Sequence, residues 1–154
     1  MRLDVLCVCR RPPRWVSDVT AEYARRLPRG FDLAFHYLAP GSDALPSAER
    51  RRDEASRVLK RLRSGVPVVA LDVGGEEVDS PGLARWLGAW RERHAELALV
   101  VGGADGHGEA VLERAATRWS LSRLTLPHLL VQVIVAEQVY RAWTILDGHP
   151  YHRA

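Results

Sequence analysis

Residues 97–106 read Leu-Ala-Leu-Val-Val-Gly-Gly-Ala-Asp-Gly, five apolar residues running straight into a glycine-rich loop. An apolar run that short, bounded by turn residues, predicts a strand covered on both faces, as strands of a parallel sheet are. Glycines at the carboxyl end of such a strand let a backbone approach a ligand closely, at the edge where open α/β sheets bind small molecules. A plain tight turn fits the same residues. The loop is not a GxGxxG, and with Lys60 as the only lysine there is no GxxxxGK[ST]. Nucleotide-phosphate binding therefore lacks its two strongest signatures.

Elements on either side extend the pattern. Leu3 to Val8 predicts a buried strand, and Trp15, Val16, Val19, Tyr23 and Leu27 recur near helical spacing until Pro28 and Gly30. Phe31 to Leu38 predicts a second strand, followed by a loop through Pro46. Ser47 is expected to cap a helix whose stripe is Ala55, Val58, Leu59 and Leu62, closed by Gly65. Pro67 to Val73 predicts a third strand ending in a Gly74-Gly75 turn. Ser80 and Pro81 are expected as cap and first residue of the next helix. Beyond the opening stretch come a helix over 109–118, a short segment over 121–126, and a long helix after Pro127. Strands alternating with helices predict an α/β domain with a largely parallel sheet, spanning residues 1–154 as one unit.

Composition narrows the class. With 47% hydrophobic and 27% charged residues the chain has an ordinary globular makeup, without the bias of a disordered tail. No window reaches about 18 uninterrupted apolar residues, and the first residues lack the flanks of a signal peptide, so a cytoplasmic protein is expected. The net charge is +3, but residues 10–63 hold 13 bases and 7 acids, residues 64–113 hold 3 and 9, and residues 114–154 hold 5 and 2. Two basic segments around an acidic middle fit a polyanion partner, and equally fit solvated helix faces. Cys7 and Cys9 share one face of the first strand; two thiols cannot complete a zinc site, and a bridge between them would be strained. His149 and His152 lack a third ligand, so no metal is expected.

Three further segments are chemically suggestive. Leu121-Ser122-Arg123-Leu124-Thr125-Leu126-Pro127-His128 interleaves hydroxyls and main-chain amides with leucines, fit to line a half-apolar pocket around a purine, or to form a core strand with a turn. The helix after Pro127 is apolar around most of its circumference, which calls for cover on more than one side, and a second subunit would provide it. Glu137, Gln138 and Arg141 argue against a membrane. The terminal His149-Pro150-Tyr151-His152-Arg153-Ala154 packs four polar or aromatic side chains into six residues.

These pieces resemble one family. The stretch WSLSRLTLPHLLVQVIVAEQVYRAWTILDGHPYHRA, from Trp119 to the end, is similar to the C-terminal segment of the rRNA large subunit methyltransferase H family, SPOUT-class enzymes of bacteria. VALDVGGE at 69–76 and LVVGGADG at 99–106 fall where that family has its other two cofactor loops. LTLPH, EQVYRAW and PYHR occur in order and at family spacing, and the likeness runs the length of the chain.

The resemblance implies an α/β SPOUT fold with a C-terminal trefoil knot, a homodimer, S-adenosyl-L-methionine as methyl donor, and methylation of N3 of a pseudouridine in 23S rRNA of the ribosome. It implies cofactor contacts from Leu71, Gly102, Gly103, Leu121, Ser122, Arg123, Leu124, Thr125 and Leu126. Tyr151, His152 and Arg153 would sit near the donor. Arg153 would steady the developing anion, and His128 or His152 would take or relay the N3 proton. Departures from the family are Gln132 in place of an arginine, Cys9-Arg10-Arg11 in place of Gly-Lys, and a loop over 39–46 short of bases. A catalytically silent ribosome-binding dimer of the same fold is the alternative. The RNA-facing surface is expected on the basic helix Arg50 to Arg63 and the C-terminal third.

Overall fold

Strand β1 (Arg2–Val8) sends alternate side chains to opposite sides, and two helical layers follow from that alternation. Leu3, Val5 and Cys7 join Leu97, Leu99 and Val101 in one apolar layer, while Leu6 and Val8 join Val68, Ala98 and Val100 in the other. The computed structural model describes residues 1–152. Its sheet holds β2 (Asp32–Leu38), β1, β4 (Glu96–Val101), β3 (Val68–Glu77) and β5 (Thr117–Ser120) in that spatial order, every pair parallel. The register sets Leu3 beside Leu33 and Leu97, and Val69 beside Leu99 and Thr117.

Helices α1 (Arg14–Arg26), α3 (Ser80–Arg93) and α5 (His128–Leu146) cover the first layer, with Ala84, Leu87, Val135, Val139 and Ala142 buried there. Helices α2 (Ser47–Arg61) and α4 (Glu109–Arg114) cover the second through Ala55, Val58 and Val111. Each such fully buried branched side chain contributes roughly 1.5–3 kcal/mol of transfer free energy. The α5 helix is long and apolar enough by composition to cross a membrane, with a mean hydropathy of 1.3. Here it packs in the core: Gln132, Val135, Ala136 and Val139 are buried, and Glu137 pairs with Arg141 at 2.7 Å. Leu130 and Leu146, toward its two ends, stay exposed.

Local details differ from the sequence expectation. Pro46 occupies the boundary of α2 and Ser47 is its first helical residue, where its hydroxyl accepts from Arg51 at 3.0 Å instead of capping. Asp79 caps α3 by accepting the Gly82 N–H at 2.7 Å. Ser80 stands one residue further in and donates to Gln138 at 2.6 Å. The helix expected over 109–118 stops at Arg114, and Thr117 to Ser120 form β5. A β-branched and an aromatic residue fit a pleated, half-buried surface there, with Thr117 beside Val69 and Trp119 beside Leu71.

Strand β3 also continues past the expected turn. Leu71 and Glu76 both pair with Trp119, so residues 72–75 leave the ladder and return to it. Gly75 allows this, because a Cβ there would lie 2.6 Å from the Trp119 carbonyl carbon. This excursion builds one wall of the site.

Candidate active site

All five strands end at one edge, and the loops leaving β4, β3 and β5 enclose a cleft of about 540 Å³. That volume suits a small organic ligand. Of the residues singled out from the sequence, Leu71, Gly102, Gly103, Leu121, Ser122, Leu124, Thr125, Leu126 and His128 all line it. Segments 69–76, 99–106 and 121–128, distant in sequence, thus meet in one place. Arg123 does not line the cleft; its guanidinium is exposed and pairs with Glu77 at 2.7 Å.

The loop after β5 is folded by its own hydroxyls. Ser120 donates to the Ser122 carbonyl at 3.0 Å, and Ser122 Oγ accepts the Leu124 N–H at 2.9 Å. The Leu121–Leu126 segment is therefore neither strand nor helix, and Leu124 is left 72% exposed on the cleft wall. Val73, from the β3 excursion, is 81% exposed on the same cleft. Two large apolar side chains standing open at a cleft mark a surface for an apolar ligand face.

The glycine loop closes on itself, with Gly106 N–H donating to the Gly103 carbonyl at 3.1 Å and Gly106 in the left-handed region at φ 80°. The requirement for glycine at 103 comes from behind the loop. A Cβ on Gly103 would lie 2.6 Å from Oε2 of Glu54, a buried α2 carboxylate. Glu54 Oε1 accepts the Gly41 N–H at 2.8 Å, while Oε2 has no hydrogen-bond partner among the described residues. One turn earlier on α2, Arg50 holds Asp105 of the glycine loop through Nε at 2.6 Å and Asp43 through Nη1 at 3.1 Å.

His107 was not singled out from the sequence, and Asp72, Val73 and Trp119 were quoted only within their motif stretches; all four line the cleft. His107 directly follows the glycine loop, the one signal that was available. Burial holds its imidazole below the ordinary histidine value, opposed by its bond to the Leu71 carbonyl at 2.8 Å. In the neutral tautomer Nε2–H donates that bond and Nδ1 is a free acceptor. His107 therefore ties the glycine loop to the end of regular β3.

Tyr151 lies elsewhere. Its ring meets Tyr140 edge-on at 4.7 Å between centroids, and its hydroxyl donates to Glu137 at 3.2 Å and lies 3.4 Å from the Tyr23 hydroxyl. Burial, the Tyr23 bond and the Glu137 charge push the phenol up, so it stays a neutral donor. Arg153 and the side chain of His152 lie outside the described residues. Among the described residues there is no group of three His, Cys, Asp or Glu placed to hold a metal ion. Cys7 and Cys9 are buried and reduced, and burial pushes both thiols up.

Residues 1–152 match the family model described as "Predicted SPOUT methyltransferase". A ribosomal RNA large subunit methyltransferase H of Methylococcus capsulatus is 47% identical, over 99% of this chain and all of its own. Proteins of the same name from Alkalilimnicola ehrlichii and Chromohalobacter salexigens are 47% and 44% identical, over 100% and 99% of this chain and the full length of each.

Proposed function

The chain belongs to the SPOUT methyltransferase family, alongside the ribosomal RNA large subunit methyltransferases H, and from that premise we propose that it methylates N3 of a pseudouridine in 23S rRNA. We read it as a single domain over 1–154 that works in the cytoplasm as a homodimer, with its C-terminal part threaded as a trefoil knot. One observation carries the site assignment: the three segments that resemble cofactor loops converge on one cleft at the carboxyl edge of the sheet. A second subunit would cover the exposed ends of α5.

The residues present fit S-adenosyl-L-methionine. Main-chain groups of 121–126 would hold the adenine edge, and the exposed Leu124 and Val73 of the same lining would offer it apolar surface. The glycine loop brings bare backbone to the cleft, and Asp72 sets negative charge on its lining, the Asp105 carboxylate being paired with Arg50. S-adenosyl-L-methionine supplies an electrophilic methyl group on a cationic sulfur.

The rest of the task falls on the chain itself. N3 of pseudouridine lies between two carbonyls and carries a proton, so it is a poor nucleophile until that proton leaves. We assign that proton to His128, whose exposure on the cleft lining at the start of α5 supports the role. Tyr151, His152 and Arg153 are proposed to act together. Tyr151 anchors the tail on α5, Arg153 stabilises the nascent anion, and His152 relays the proton. Because N3 is engaged in any Watson–Crick pair, the target nucleotide must be unpaired or extruded.

Tritiated methyl transfer to ribosomes carrying the unmethylated pseudouridine tests this reading. We expect stoichiometric incorporation at one site. A folded protein that binds S-adenosyl-L-methionine in a calorimeter yet transfers nothing would refute it and leave a silent binding dimer.

A further inference from the structure

At the same sheet edge, beside the donor cleft, lies a second depression. It is a groove of about 1010 Å³ at the carboxyl ends of β1 and β2, lined by Cys9, Arg10, Arg11, Tyr37 and residues 39–44. We propose that this groove is a subsite for the sugar-phosphate backbone of the acceptor RNA strand, with Arg10 and Arg11 as its cations. The proposal rests on the rRNA methyltransferase reading above.

The sequence points to the basic face of α2, but the fold ties much of that face down. Arg50 pairs with Asp105 and Asp43, and Arg57 with Asp53 and the carbonyls of Ala39 and Pro40. Arg63, just beyond the helix, pairs with Glu96 and Asp4, whereas Arg51, Arg52, Lys60 and Arg61 have no carboxylate partner among the described residues and stay available on the outer face of α2, away from the groove lining. Arg10 and Arg11 are exposed and have no hydrogen-bond or ion-pair partner among the described residues. Releasing counterions from phosphate requires guanidinium groups that are not already neutralised.

The groove is also prebuilt. Its outer wall, residues 39–44, is pinned to α2 by Arg57, by Glu54 on the Gly41 N–H, and by Arg50 on Asp43. Arg50 and Glu54 contact the glycine loop as well, at Asp105 and Gly103. Two side chains that line neither depression, Arg50 and Glu54, therefore brace the groove wall and the glycine loop together, which fixes the position of one relative to the other. Tyr37 adds a half-buried ring at the groove, a platform on which a base can stack. Its phenol is pushed up to about 12, by burial first, and so remains a neutral donor. Asp43 is the one carboxylate of the lining, and it opposes an incoming phosphate.

The test compares two double variants. Arg10→Ala with Arg11→Ala removes the proposed cations. Arg29→Ala with Arg93→Ala removes the same charge from the opposite edge, where both residues are exposed, Arg29 in the turn before β2 and Arg93 as the last residue of α3 before β4. Binding of each to ribosomes is measured across salt concentrations, with calorimetry of S-adenosyl-L-methionine and a thermal melt in parallel. When two cations no longer meet single-strand phosphates, the slope of log K against log salt should shrink by about 1.4, which is roughly tenfold in affinity at 0.15 M salt. Donor affinity and melting temperature should not move, and Asp43→Asn should tighten ribosome binding. A wild-type slope in the Arg10/Arg11 variant, or an equal change in the Arg29/Arg93 variant, overturns the groove assignment. Wild-type protein that neither binds ribosomes nor transfers methyl overturns the underlying reading instead.

Discussion

Replacing Gly103 by alanine should destabilise the protein through Glu54, and the geometry sets the size of the effect. The added Cβ would lie 2.6 Å from Oε2 and 3.0 Å from both Cδ and Oε1. An exposed glutamate would swing aside at little cost, but Glu54 is 4% exposed and its Oε1 holds the buried Gly41 N–H at 2.8 Å. The chain must either overpack, at about 1–3 kcal/mol, or release that N–H, at a similar cost. At about 2–4 °C per kcal/mol for a domain of this size, the melting temperature should fall by roughly 3–10 °C. Donor affinity should weaken too, since Gly103 lines the cleft. The assay is a double-mutant cycle with Glu54→Ala, followed by thermal and denaturant unfolding. With the carboxylate gone the new methyl has room, so Gly103→Ala should cost much less in that background, giving a coupling of about 1 kcal/mol or more. Equal costs in both backgrounds would refute the back-side contact and return the glycine requirement to the ligand side.

Three other outcomes follow from the same structure. His107 is held below the ordinary histidine value of about 6.5, so the unfolded chain binds its proton first as pH falls. Its contribution to stability is therefore complete above about pH 6.5 and declines below it; His107→Gln should flatten the fall in melting temperature between pH 7.5 and 5, and an unchanged profile would contradict this. Deleting residues 151–154 removes the edge-on contact with Tyr140, which should cost about 1 kcal/mol in a melt while abolishing methyl transfer. Full-rate transfer by the truncated chain would show the tail to be only a terminus. Gln132 is fully buried, with Oε1 unpartnered among the described residues and Nε2 3.5 Å from the Cys9 sulfur. Gln132→Met should therefore be neutral or stabilising by thermal melt, and a loss above about 2 kcal/mol would mean the amide is better satisfied than its surroundings indicate.

Where a segment's own periodicity decides its state, the sequence was enough. β1, β4, α1 and α5 carry that signal in their apolar spacing, and each lies within a few residues of its expected place. β5 was missed because four residues, Thr117 to Ser120, are too short to show a period after a helix. The 121–128 segment read from its residues as either a pocket wall or a core strand with a turn, and only the family resemblance made it legible as a candidate cofactor segment. His107 and Val73 were not, because they reach the cleft by departures from regular backbone: the Gly103–Gly106 bridge and the 72–75 excursion. Charge shows the same division most sharply. Counting residues finds a basic α2, but only the topology, which brings Asp4, Asp43, Glu96 and Asp105 against that helix and the residues just beyond it, shows how much of the charge is neutralised within the fold. A phosphate must displace one of those carboxylates to use the paired arginines of α2, whereas Arg10 and Arg11 are open to it already, and electrostatic capture favours the cations that cost no partner.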